Sequence, residues 1–157
     1  MGAGTHTPAG HWNAEASALA VRYHLDERRA VQVLALLNMA MYDAIIASND
    51  AKYEYWLLRP SQADPAITLA LTPLPNFPAY PSNHATISSA SAEILAAAFP
   101  AEARRLRAAA EQAALSRVYG GIHYRFDGDD GLELGRRVAR WAIEASGGVH
   151  APFAVGN

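Results

Sequence analysis

The sequence predicts an all-α fold built as a helical bundle, and three observations carry that expectation. Apolar residues recur at helical spacing, as in Val33, Leu34, Leu37, Met41 and Ile45. No stretch alternates apolar and polar residues in the way a half-buried strand does. The strong breakers gather between the periodic stretches, in the proline-rich segment from Pro60 to Pro81 and at Gly120-Gly121.

Taken in order, Asn13 can cap a first helix over about residues 14–24, and Asp26 can cap a second, long one. The second continues through YDAIIASNDAKYEYWLL and must stop before Pro60, because a proline disfavours helix at the residue preceding it. Residues 60–82 hold six prolines and read as a rigid loop whose TLAL stretch can dock on the core. A third helix is expected from Ser82 to Phe99. Pro100 then suits the start of a fourth, over residues 101–115. After the glycine break, Asp129 or Asp130 can cap a last helix that ends near Gly147 and Gly148.

The length of 157 residues suits one domain, residues 1–157, with a real hydrophobic core, and 51% of the residues are apolar. A net charge of −2 without a basic block argues against a nucleic-acid partner. With no cysteine there is no disulfide and no thiolate metal site. No apolar run stands out as a membrane span. The opening MGAGTHTPAGHWN lacks the apolar core of a signal peptide. The expectation is therefore a soluble chain, cytoplasmic, or secreted if a further N-terminal segment precedes it.

Three segments carry chemistry. In KYEYWLLRP, Lys52 and Arg59 are seven residues apart, so on one helix they would share a face about two turns apart. In PAYPSNHATISSA, Ser82 falls at a helix N-cap, where free backbone N–H groups and the helix dipole favour an oxyanion, and His84 can exchange a proton. In SRVYGGIHYRFD, Arg117 offers a planar fork of donors, and Asp127 stands four residues after His123, placed to hold one ring nitrogen. Each segment alone has an ordinary explanation as a solvated stripe, a serine cap or a structural His–Asp bond. Together they point to one oxyanion site.

The three segments, Lys52…Arg59-Pro60, Pro81-Ser82-Asn83-His84 and Ser116-Arg117…His123…Asp127, match K-x6-RP, PSGH and SR-x5-H-x3-D in order and internal spacing. This resembles the signature of the superfamily that joins vanadium-dependent haloperoxidases to type 2 phosphatidic acid phosphatases and bacterial acid phosphatases. NFPAYPSNHAT is similar to the haloperoxidase form of the second motif, and TPAGHWN also resembles bacterial members. The likeness runs from Thr7 to Phe153.

The resemblance implies a phosphate or vanadate held among these segments. Lys52, Arg59 and Arg117 would neutralise its oxygens, and Ser82 with the backbone N–H of Asn83 would complete the donors. His84 would be the acid/base. His123 would attack phosphorus or ligate vanadium, and Asp127 would orient it. The implied function is a vanadium-dependent haloperoxidase with vanadate as cofactor, acting on hydrogen peroxide and a halide. An acid phosphatase working through a phosphohistidine on a phosphomonoester is the alternative, and a non-enzymatic phosphate-binding domain is a third.

Three departures bear on the choice. Asn83 stands where the motif has Gly. Asn49, three before Lys52, stands where chloride-oxidising members carry Trp, although Phe77 matches their aromatic. The chain is also short for a haloperoxidase. It is expected to correspond to the active-site bundle alone, with an apolar face that a second bundle or a second copy in a homodimer would cover.

Overall fold

A computed structural model of the chain describes residues 7–147. Five long helices and one single-turn helix account for the regular structure, with no strand among the described residues, so the fold is all-α as expected. Helix α1 spans Pro8–Arg22, α2 Glu27–Tyr55, α3 Pro60–Ala63, α4 Asn83–Ala98, α5 Ala103–Tyr119 and α6 Arg125–Ala145. A short 3-10 turn, Pro100–Glu102, leads into α5.

Local chemistry sets the helix starts. Asp26 caps α2 by accepting from the Arg29 N–H at 2.8 Å, and Ser82 caps α4. Two expected starts are corrected. Helix α1 begins at Pro8 rather than residue 14, because Thr7 accepts the Gly10 N–H and Pro8 is pre-organised for the first position. Helix α6 begins at Arg125, ahead of Asp129 and Asp130. There the Asp127 carboxylate reaches back to the Tyr124 N–H at 3.1 Å and does the capping. The expected end of this helix at Gly147 and Gly148 lies partly outside the described residues; the helix itself ends at Ala145.

Helix α4 is the central element, packed against α1, α2, α5 and α6. It is buried on nearly every side, and its sequence explains how: Ala, Ser and Thr leave room for close neighbours. Three of its four buried hydroxyls find partners, and Ser91 Oγ has none. Thr86 donates to the Ser82 carbonyl, Ser89 to the Leu132 carbonyl, and Ser88 accepts from the Trp12 indole. Around it Trp12, Leu19, Leu37, Met41, Ile94, Leu95, Phe99 and Leu106 form the core.

Gly131 and Gly135 lie one turn apart on α6 and let it approach α4 closely. A Cβ at Gly135 would fall 2.3 Å from the Thr86 carbonyl oxygen and 2.7 Å from Ser89 Cβ. At Gly128 the nearest atom, Ala114 Cβ, is 3.6 Å away. Gly135→Ala is therefore expected to destabilise the chain by about 1–3 kcal/mol or more through overpacking. Gly128→Ala is expected to be neutral or stabilising by up to about 1 kcal/mol, since alanine favours the helix. Thermal unfolding of the two variants checks the contrast. Equal midpoints would mean that α4 and α6 do not meet at Gly135.

The Gly120-Gly121 break receives the proline-rich loop. Gly121 has φ +74°, and the Gly120 carbonyl accepts from the Ala70 N–H at 3.2 Å. Leu71 lies where a Gly120 side chain would go, so the TLAL stretch docks here, as expected.

Among the described residues, one helix bears on the expectation about membranes. An 18-residue window in the α2 region has mean hydropathy 1.7, enough by length and composition to cross a bilayer, although the window is only 33% buried in the bundle. The inner face of α2 carries core residues such as Leu37, Ala40 and Ala44. Its outer face exposes Val31, Met39, Tyr42 and Ile46. This is the same test a core helix passes, because alanine and aliphatic residues dominate both.

Candidate oxyanion site

Lys52 and Arg59 do not share a helix. Helix α2 ends at Tyr55 because Trp56 takes a left-handed conformation, φ 48°, and the chain turns. Arg59 then caps the single-turn α3. Both cations nevertheless point inward. Lys52 is 0% and Arg59 1% exposed, and they flank the Phe77 ring at 5.2 and 5.1 Å from its centroid.

Lys52 Nζ donates to the carbonyls of Pro78, Ala79 and Pro81 at 2.8, 2.7 and 2.5 Å. All three of its protons are thereby engaged, and they tie the proline loop to the end of α2. The Ala79 N–H donates to the Leu57 carbonyl, which strengthens the same tie. Burial and then the Arg59 charge push the Lys52 ammonium down to about 7, while Asp127 pulls the other way.

Arg59 donates from Nε to the Phe77 carbonyl at 3.1 Å and from one terminal nitrogen to the Ile122 carbonyl at 2.8 Å. That nitrogen also lies 3.4 Å from His123 Nε2. The other terminal nitrogen, Nη2, is buried with no partner. An unpaired guanidinium N–H inside a protein is costly and asks for an acceptor.

His123 is buried beside it. Its Nδ1 lies 2.8 Å from the Asp127 carboxylate, so Nδ1 carries the proton and Nε2 presents its lone pair toward Arg59. Burial lowers the His123 pKa, against the pull of the Asp127 hydrogen bond. Asp127 is 0% exposed, and its backbone carbonyl accepts the Ser82 N–H at 2.9 Å. One residue at the start of α6 thus positions both His123 and the N-terminus of α4.

His84, in the first turn of α4, stands with Nε2 3.3 Å from an Arg117 terminal nitrogen on α5. Burial, then Arg117 and His123, push its pKa down to about 4, so the imidazole is neutral and accepts from the guanidinium. Asn83 is half-buried, with its amide nitrogen 3.4 Å from Asn49 Oδ1. The two positions that depart from the haloperoxidase pattern therefore lie against each other. Asn83 is an ordinary helical residue here, and its tolerance of positive φ is not used.

The structure thus brings Lys52, Arg59, Ser82, Asn83, His84, Arg117, His123 and Asp127 to the region where the N-termini of α4 and α6 meet the end of α5. Sequence reasoning missed the loop carbonyls that hold Lys52, since a backbone carbonyl has no letter of its own. It also missed the glycine face of α6, for which the spacing of Gly128, Gly131 and Gly135 was a usable signal. Size would not have found the region. A cavity of about 550 Å³ lies elsewhere against α4, α5 and α6, where Arg107 is paired with Glu93 and Arg136 with Glu133.

The described residues form an all-α bundle in which two buried cations, Lys52 and Arg59, lie close to an oriented His–Asp pair. The comparisons name what this arrangement is similar to. Residues 99–150 match the family model described as the VCPO second helical-bundle domain, a span that includes Arg117, His123 and Asp127. A solved structure of a bacterial vanadium-dependent iodoperoxidase superposes with a TM-score of 0.78 at 28% identity, over 88% of this chain and 38% of that one. No curated protein gives a significant match. The chain is thus similar to vanadium haloperoxidases, by the family model over residues 99–150 and by the superposition over 88% of its length. It spans 38% of the length of the iodoperoxidase.

Proposed function

We propose that the chain is the oxyanion-binding bundle of a haloperoxidase-like enzyme, which holds vanadate and oxidises a halide with hydrogen peroxide. The observation that carries this reading is the buried Arg59 Nη2, without an acceptor, beside a His123 whose Nε2 is left unprotonated by the Asp127 bond and faces the same guanidinium. The donor set fits a tetrahedral oxyanion: Arg59 and Arg117 supply N–H donors, and Ser82 and the first-turn N–H of Asn83 supply a helix N-terminus. Bound vanadate would supply the Lewis-acid centre that activates peroxide toward halide. His123 would face the vanadium with Nε2, and Asp127 would keep that tautomer. His84, neutral and half-buried, would hold or release a proton at the ligand's edge. Lys52 would act through its charge and through the loop it ties down, because its donors are engaged.

Residues 1–157 are read as one domain, equivalent to the active-site bundle of a longer relative. The exposed stripe of Val31, Met39, Tyr42 and Ile46 supports that reading, since a second helical layer or a second copy would cover it.

Bromide oxidation and hydrolysis of an aryl phosphate, run in parallel with and without orthovanadate, test the function. Bromination that needs vanadate and is inhibited by phosphate is the expected result. Robust hydrolysis without bromination would replace this reading with a phosphatase. Phosphate binding with neither activity would leave a passive phosphate-binding domain.

The titrations give a further prediction. An oxyanion raises the pKa of both Lys52 and His84, so its binding takes up protons. Above pH 7, Lys52 is partly neutral in the free chain and charged in the complex, so phosphate affinity falls as pH rises. His84 contributes in a lower window. Between about 4 and 6.5 the unfolded chain binds more protons at this imidazole than the folded chain does. Stability therefore falls as pH drops from 6.5 toward 4, and bound phosphate should reduce that fall. Calorimetry in buffers of different ionisation enthalpy measures the uptake. Proton release on binding would contradict the assignment.

A further inference from the structure

One cavity beside the oxyanion site has no role in the reading above. A cleft of about 160 Å³ runs between α1, α4 and α5, walled by Pro8, His11, Trp12 and His84 and floored by Ala109 and Ala113. We propose that this cleft binds one aromatic ring the size of phenol and presents it beside His84. Its purpose rests on the oxyanion reading: the ring is either an organic acceptor for the oxidised halogen or the aryl group of a phosphate ester.

Size is the first argument. A cavity of about 150 Å³ is known to accept benzene, and this one is of the same order. The lining is the second. The Trp12 indole is held in place by its N–H bond to Ser88 Oγ at 3.2 Å, and the His11 ring stands edge-on to it, with centroids 5.3 Å apart and planes at 79°. An inserted ring meets aromatic and proline surfaces, which suit offset or edge-to-face contact. No carboxylate lines the cleft, so nothing there selects a cation. The alanine floor leaves the volume open, where a larger residue would fill it.

Continuity with the site is the third argument. Ala109, Ala113 and Arg117 follow one another at intervals of four residues on α5, so they share a face. His84 and Ser88 do the same on α4. Each helix therefore carries both a cleft residue and a residue of the oxyanion site, and His84 lines the cleft while touching Arg117. A ring in the cleft has that neutral imidazole, the His11 ring and Ser88 as its polar neighbours. The larger cavity of about 550 Å³ lacks this character, being lined by Arg107, Arg136, Arg140, Glu93, Glu111 and Glu144 among smaller residues.

The test uses the chain as it stands. Phenol, cyclohexanol, phenyl phosphate and inorganic phosphate are titrated while the Trp12 indole N–H resonance is followed by nuclear magnetic resonance. Trp56 and Trp141, both exposed, serve as internal references. Phenol should shift the Trp12 resonance, and cyclohexanol should do so far more weakly. Ala109→Leu, which fills the floor, should weaken phenol binding by about tenfold or more and leave phosphate affinity unchanged. His11→Ala, at an exposed position, should weaken phenol binding without a folding risk. Phenyl phosphate that binds more tightly than phosphate and also shifts Trp12 marks the ring as arriving on an ester. Phenol binding alongside phosphate, with phenyl phosphate no tighter than phosphate, marks a free acceptor. A Trp12 resonance that ignores phenol while phosphate still binds would overturn the cleft proposal and leave the oxyanion reading standing. Loss of phosphate binding in the unmodified chain would instead remove the oxyanion reading, whatever phenol does.

Discussion

Arg59→Met is expected to reduce vanadate and phosphate affinity by on the order of a hundredfold or more, with the helical content unchanged. The size of the effect follows from burial. Truncating one partner of a buried, hydrogen-bonded charge pair costs about 2–5 kcal/mol, and 1.4 kcal/mol is a factor of ten. Arg59 is 1% exposed and its Nη2 has no other acceptor, so the ligand would be its missing partner. Stability of the free chain should change much less. Methionine fills similar space and removes a desolvated charge, while the Phe77 and Ile122 carbonyls lose their donor. Those contributions oppose each other, so the net change should stay within about 2 kcal/mol. Arg59→Lys should rescue little, because an ammonium cannot reach both carbonyls and the ligand with one planar fork. Calorimetry with vanadate and a thermal scan measure the two effects separately. Unchanged vanadate affinity in Arg59→Met would remove Arg59 from the site.

Arg59 also shows how the sequence could lead to a neighbour by an incorrect route. The spacing of seven residues from Lys52 suggested one helix face. The two side chains do meet around Phe77, but a left-handed Trp56 and a separate helical turn bring them there. Helices set by local chemistry were legible: Asp26 and Ser82 cap as expected because a side-chain acceptor three residues from its N–H is written in the sequence. Starts with competing caps were not. The stretch YRFDGDD offers three carboxylates, and Asp127 is used at the first turn because it also holds His123. The gathering of cations and histidines was legible as charge chemistry spread over three segments. The loop carbonyls around Lys52 and the Asn49–Asn83 contact depend on backbone path, which spacing alone does not report.

Asp127→Asn is expected to lower turnover by about a hundredfold or more while preserving most of the fold. The substitution is nearly isosteric, and an amide oxygen can still accept from His123 Nδ1 or from the Tyr124 N–H. It carries no charge, so it stabilises a positive His123 poorly, and its NH2 can turn toward the ring and reverse the tautomer. Reversal would place a proton on Nε2, facing the Arg59 guanidinium, and take away the lone pair that the site presents. Asp127→Ala goes further. It leaves the Nδ1–H and the Tyr124 N–H without their acceptor, a buried loss of about 1–3 kcal/mol each. The Asp127 carbonyl that holds the Ser82 N–H belongs to the backbone and survives in both variants, so the N-terminus of α4 should stay in place. This separates a positioning role from general unfolding: phosphate should still bind Asp127→Asn with most of its affinity while turnover falls. Nitrogen chemical shifts of His123 report the tautomer directly. A proton that stays on Nδ1, together with undiminished turnover, would show that Asp127 does not govern the imidazole.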